Sequence, residues 1–217
     1  MSDFATRRRM MVDTQVRPSD VTEFPIIDAM LSVPREAFVP RDRIEAAYAG
    51  GDVELGGDRV LLDPRVFAKM LDALDLTNRD LVLDLGCGYG YSSAVIARIA
   101  EAVVAVEDDE ERLSEAQGLL TEHHADNVIL HAGPLTAGAA EHGPYDAIIV
   151  EGGVEHLPEG LVAQLKNGGR MIVIFMEKAL GTVRVGHKLD GAVTWRYAFN
   201  GTAPVLNGFE KTVDFAL

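Results

Sequence analysis

Three glycines on alternate positions, Gly86, Gly88 and Gly90, follow the apolar run LVLDL (81–85) and precede the helix-like segment YSSAVIARI (91–99). A loop that gives up side chains in this way lets ligand atoms approach the backbone, and each glycine tolerates positive φ. In open parallel sheets ligands lie outside the carboxyl ends of the strands, where this loop falls. The chemistry this predicts is capture of a nucleoside-bearing molecule. A dinucleotide loop needs a third glycine where Tyr91 stands, and a P-loop needs a lysine that residues 86–99 lack. The pattern present is acidic-x-G-x-G-x-G, starting at Asp84. Glu107 closes the next apolar run, 21 residues past Gly86. An acidic side chain at roughly 20 residues from such a loop meets ribose hydroxyls. A carboxylate there accepts two hydrogen bonds from the 2′ and 3′ hydroxyls.

Other reactive side chains are sparse. Glu151 ends the apolar run YDAIIVE (145–151) on the ligand side of the sheet, inside the glycine-flanked string VEGGVEHLPEG. It is a candidate general base or cation binder, with a solvated loop glutamate as the alternative. His156 in the same string is a weaker candidate. His123, His124, His131 and His142 show no paired ligand spacing, so no metal site is expected. Arg65 opens a helix-like run from which it could reach a carboxylate. Cys87 inside the glycine loop reads as small buried packing. Trp195 and Tyr197 share a strand with Phe199 and alternate as core-facing aromatics would.

The elements that must position these groups are legible from periodicity. LVLDL (81–85), AVVAVE (102–107), NVILHA (127–132), YDAIIVE (145–151) and GRMIVIF (169–175) are short β-branched runs. Helix-like segments at 91–100, 109–124 and 158–165 separate them. Apolar strands alternating with helices predict a doubly wound, mostly parallel sheet of the Rossmann-like α/β class. Beyond Lys178, TVRVGHKL, AVTWRYAF and KTVDFAL look like shorter antiparallel pieces closing one edge of a sheet expected to have seven strands. Residues 1–78 read as a helical N-terminal extension on the substrate side, with helices at EFPIIDAMLSV (23–33) and PRVFAKMLDALDL (64–76); residues 79–217 read as the ligand-binding domain, the two together one compact unit.

Composition narrows the function. Of 217 residues 34 are acidic and 20 are lysine or arginine, a net charge of -14, so nucleic acid is a poor partner. The run Arg7-Arg8-Arg9 reads as one solvated helix face. No apolar run reaches the ~20 residues of a membrane span, and no apolar stretch follows the N-terminal arginines as in a secretory signal. The single cysteine excludes an internal disulfide and suits a reducing cytoplasm.

The string acidic-x-G-x-G-x-G resembles the first motif of S-adenosyl-L-methionine-dependent methyltransferases. IIDAMLSVPREAFVP (26–40) and AAYAGGDVELGGDRVLLDP (46–64), with the strings around the glycine loop and the later strands, resemble the protein-L-isoaspartate O-methyltransferase family over most of residues 10–176. The resemblance implies S-adenosyl-L-methionine as cofactor and the side-chain carboxylate of isoaspartyl residues in damaged proteins as acceptor. It implies Gly86, Gly88, Gly90 and Glu107 as cofactor ligands, with Asp84 toward the methionyl ammonium and Asp108 bordering the adenine. Cys87, Tyr91 and Gly133 complete the cofactor-binding set. Three stretches depart from the family. Its Gly-Gln-Thr-Ile-Ser-Gln-Pro-like string aligns with residues 58–64, so the reacting-centre serine is replaced by Leu62 and the threonine by Val60. Its Gly-Asp-Gly is Gly133-Pro134-Leu135, and its small residue or threonine after the fourth strand is Glu151. An anionic Glu151 would suit a neutral or cationic acceptor, so a small-molecule acceptor stands beside a protein or peptide. A regulatory protein that keeps the fold without catalysis is a further alternative. A nicotinamide oxidoreductase requires a glycine at position 91.

Overall fold

The computed structural model describes residues 3–57 and 59–211. Its centre is one seven-stranded sheet in the order β5-β4-β3-β6-β7-β8-β9. Strands β3 (Leu81–Leu85), β4 (Ala102–Glu107), β5 (Val128–Ala132), β6 (Tyr145–Val154) and β7 (Leu165–Glu177) run parallel. Strands β8 (Leu180–Leu189) and β9 (Ala192–Asn200) add antiparallel pairs at the β7 edge. The predicted strands thus appear at their predicted places, except that KTVDFAL lies, beyond Lys211, outside the described residues. The chain winds outward from β3 through β4 to β5, then returns to start β6 on β3's other side. That reversal opens a crevice outside the carboxyl ends of β3 and β6.

Helices cover both faces. Helix α3 (Pro64–Leu74) begins with Asp63, whose carboxylate accepts from the Arg65 N–H at 2.7 Å, and with Pro64 in its first turn. Its apolar stripe of Val66, Phe67, Met70, Leu71 and Leu74 is buried. With α1 (Phe4–Met11) and α2 (Phe24–Ser32) it forms a layer over one face of the sheet. One continuous core joins Met11, Val16, Met30 and Phe38 of this layer to Val82, Ile149, Ile172 and Val183 of the strands. Helices α4 (Tyr91–Ile96), α5 (Glu110–Glu122) and α6 (Glu159–Ala163) connect the parallel strands.

Three readings are corrected. The N-terminal segment contains a two-stranded hairpin, β1 (Val53–Gly56) and β2 (Arg59–Leu61), where helices and loops were expected. Seven residues in two strands carry too little period-2 signal to register. Tyr197 is 58% exposed rather than core-facing, because β9 is an edge strand whose register slips beside Val183 and Arg184; Trp195 packs edge-on to Phe175, and Phe199 packs against the main core. The arginine run is not one free face: Arg7 pairs with Glu45, and Arg8 with Glu36 and the Tyr48 hydroxyl.

Candidate active site

Three buried carboxylates, one from each of β3, β4 and β6, lie at the carboxyl ends of the strands around this reversal. Asp84 lies one residue before the end of β3, Glu107 ends β4, and Glu151 lies on β6 one residue past Val150, the register partner of Leu85. Asp84 is 0%, Glu107 1% and Glu151 4% exposed. Carboxylates at such depth are unfavourable unless paired or completed by a ligand.

The glycine loop wraps the first two. Gly86, Gly88 and Gly90 all have positive φ, at 86°, 58° and 93°. The Gly88 N–H donates to Glu107 Oε2 at 2.8 Å. Asp84 is fixed from the following helix: Ser92 and Ser93 each donate a hydroxyl to Oδ2, at 2.7 and 2.5 Å, while Oδ1 has no partner. Burial pushes the Asp84 carboxyl up to about 6, against the pull of these hydroxyls. Glu151 Oε1 is also unpartnered; burial and the nearby Asp84 push its carboxyl well above the ordinary range, favouring the neutral acid. Glu151 sits inside strand β6, which continues to Val154, rather than in a glycine-rich loop. The two glycines after it exist because the segment 203–209 folds onto them. A Cβ at Gly152 would meet Leu206 at 2.5 Å, and one at Gly153 would meet the Ala203 carbonyl at 2.6 Å.

Glu107 carries an unexpected partner. Arg59, on β2, forks onto it: Nη2 donates to Oε2 at 2.9 Å and Nη1 to Oε1 at 3.1 Å. Nη1 also donates to Asp108 at 3.2 Å, and Arg112 reaches Oε1 at 3.3 Å. Burial raises the Glu107 carboxyl, and the Arg59 charge pulls the other way. Leu55 of the same hairpin rests on Gly88. Neither Arg59 nor Arg112 stood out in the sequence, since an arginine 48 residues from its partner leaves no local pattern.

Several expected site residues serve elsewhere. Tyr91 is 1% exposed, with its ring between Phe38 and Phe67 and the Arg35 guanidinium 5.0 Å from its centroid, so its side chain belongs to the N-terminal layer rather than to a cofactor. Leu62 is 1% exposed within the same core; only its carbonyl is polar there, accepting from Arg35 Nη2 at 2.7 Å. Cys87 is buried with its thiol pushed well up by desolvation, which suits packing. Gly133 follows β5 and donates its N–H to the Glu107 carbonyl at 3.2 Å, beside the crevice. Arg65 is 57% exposed and borders a separate cleft of about 540 Å³ with Asp63, Thr182, Asn200 and Thr202.

The histidine reading also changes. Glu141 Oε1 lies 3.4 Å from both His131 Nδ1 and His142 Nε2, a grouping that sequence spacing did not disclose. The glutamate is 69% exposed, and the three side chains satisfy one another at the surface.

The residues fit a nucleoside cofactor in kind. The glycine cradle, the carboxylate that ends β4 and the two orphaned acid oxygens are groups of the kind an adenosyl amino acid needs. A seven-stranded sheet with this switch point and this acid-bearing glycine loop defines a Rossmann-like methyltransferase.

Comparison with known proteins narrows the class. The Protein-L-isoaspartate(D-aspartate) O-methyltransferase (PCMT) family profile matches residues 7–199. A protein-L-isoaspartate O-methyltransferase of Syntrophus aciditrophicus is 36% identical over 173 residues, covering 80% of this chain and 79% of that protein. One of Roseiflexus sp. is 35% identical over 213 residues, 98% of this chain and 97% of its own. A solved protein-L-isoaspartate O-methyltransferase superimposes with a TM-score of 0.82 at 26% identity, covering 93% of this chain and 66% of that one. A Plasmodium falciparum protein of the same description, crystallised with S-adenosyl-L-homocysteine, gives a TM-score of 0.80 at 18% identity, a likeness of fold. This chain belongs to the protein-L-isoaspartate O-methyltransferase family.

Proposed function

We propose that the chain is an S-adenosyl-L-methionine-dependent methyltransferase that esterifies isoaspartyl carboxylates of damaged proteins. The observation that carries this reading is the buried Glu107 at the end of β4, gripped by the Gly88 N–H of the glycine loop, in a chain of this family. When bound, the cofactor supplies a methyl group already activated on a sulfonium.

The chain's own residues bind and orient. Glu107 accepts the sugar hydroxyls, and Asp108 borders the base. Asp84 offers its free Oδ1 to an ammonium, while Ser92 and Ser93 hold the other oxygen. The acceptor carboxylate is a nucleophile at neutral pH, so no general base is required, and alignment is the main demand. Glu151 as a neutral acid donates a hydrogen bond to that carboxylate instead of repelling it. This removes the charge objection that an ionised Glu151 would raise. Arg65, in its open cleft, adds a positive charge for an approaching acidic peptide.

A second reading is methyl transfer to a different acceptor. It is favoured by Leu62, which offers the core a side chain where the family string has a hydroxyl. Methyl transfer from labelled cofactor to an isoaspartyl peptide, with the ordinary aspartyl peptide beside it, separates the two. Transfer to the isoaspartyl peptide alone supports repair; transfer to neither, with cofactor bound in calorimetry, points to another acceptor.

Among the described residues no helix is long and apolar enough to cross a membrane. The buried lone Cys87 supports a cytoplasmic setting.

A further inference from the structure

The hairpin β1–β2 occupies the ground on which a nucleoside would sit. Each Glu107 oxygen accepts one arm of the Arg59 fork, so the lone pairs a ribose needs are engaged. A Cβ on Gly86 would meet Arg59 Nη2 at 2.8 Å, which puts the end of the guanidinium against the cradle. A Cβ on Gly88 would meet Leu55 at 2.8 Å, so the same hairpin covers the second glycine. Two clefts, of about 620 and 450 Å³, flank the loop, and both are walled by Gly57 and Arg59. Arg59 stands between a cleft bordered by Tyr89 and one bordered by Asp108 and Arg112.

Arg59 is an imperfect resident. It is 6% exposed, yet its Nε–H has no partner, an arrangement buried donors seldom tolerate. Its charge also bears on Asp84 and Glu151, whose free oxygens it does not reach by hydrogen bond. It neutralises the same carboxylates that a cationic cofactor would neutralise. The hairpin itself, of four and three residues with an irregular register, forms its own two-stranded sheet separate from the main one. Val53, Leu55 and Leu61 of the hairpin are buried in the main core, so it opens against that packing as well as against the Arg59 ion pairs, and the open fraction is small.

We propose that Arg59 determines the cofactor affinity of this chain, as an internal cation seated in the sugar subsite that must withdraw with hairpin β1–β2 before Glu107 can take a ribose. The proposal rests on the methyltransferase reading above. A resident competitor lowers apparent affinity by the fraction of molecules in which the site is open.

The test is calorimetric titration of the full chain with S-adenosyl-L-methionine, comparing wild type, Arg59→Gln and Arg59→Lys, with hydrogen exchange of the wild type alongside. Arg59→Gln is expected to bind about tenfold or more tightly. Arg59→Lys, which keeps the charge and loses the fork, should fall between. In the wild type, cofactor should speed amide exchange across residues 53–61 while slowing it across 86–90. The exchange arm stands even if a variant folds poorly. Equal affinities in wild type and Arg59→Gln, or a hairpin that gains protection on binding, would overturn the proposal and leave the methyltransferase reading intact. No binding by any of the three proteins would overturn both.

Discussion

Glu107 shows how one side chain can be structural and functional at once. Its carboxylate accepts from Gly88, Arg59 and Arg112, so removing it leaves the buried Arg59 guanidinium with Asp108 as its remaining acidic partner and Nη2 without one. Glu107→Ala is expected to cost about 3–5 kcal/mol in urea unfolding and to abolish calorimetric cofactor binding. Leu62 is the opposite case. Restoring the family serve of a hydroxyl, as Leu62→Ser, buries a polar group and opens a void in the core. The expected cost is about 2–4 kcal/mol in the same experiment, with no gain in isoaspartyl methylation. Asp84 supplies a pH signature. Its folded value of about 6 lies above the ordinary 3.8, so the folded state holds the proton more tightly. Its contribution to stability is therefore greatest at low pH and declines as pH rises from about 4 to 6. Urea midpoints across that window should fall less steeply in Asp84→Asn.

The elements explain why these groups stay in place. The carboxyl end of β6 is sealed by segment 203–209, which reaches it through Gly153 N–H to the Pro204 carbonyl at 2.8 Å and Leu206 N–H to the Gly153 carbonyl at 2.9 Å. Backbone carbonyls at Gly153 cannot yield to a new methyl group, so Gly153→Ala should lower unfolding stability by about 1–3 kcal/mol and loosen this segment in hydrogen exchange. At the opposite end of the sheet Arg170 on β7 caps α3. Its guanidinium donates to the Leu74 and Asp75 carbonyls and to Asp80. The sheet, the covering layer and the loop before β3 are locked by this one side chain.

Across the whole molecule the N-terminal layer and the sheet share one core, which bears on the reading of residues 79–217 as a domain. Cut at residue 79, that segment would expose the face carrying Val82, Ile149, Ile172 and Val183. The expressed fragment is expected to lack a cooperative thermal transition and to bind a hydrophobic dye, whereas the full chain melts in one step.

The parallel strands, the glycine loop and its acid at the end of β4 were readable from residue order, because local periodicity and short-range spacing encode them. AVVAVE is apolar on both faces wherever its neighbours lie, and an acid-bearing glycine loop after a strand has few other uses. Tertiary structure alone decided that Arg59 sits on Glu107, that Tyr91 turns away from the cradle toward Arg35, and that Glu151 is buried inside a strand. Those placements depend on contacts between residues far apart in the chain, and on the free-energy cost of leaving a buried charge alone. Neither leaves a periodic trace in the order of the amino acids.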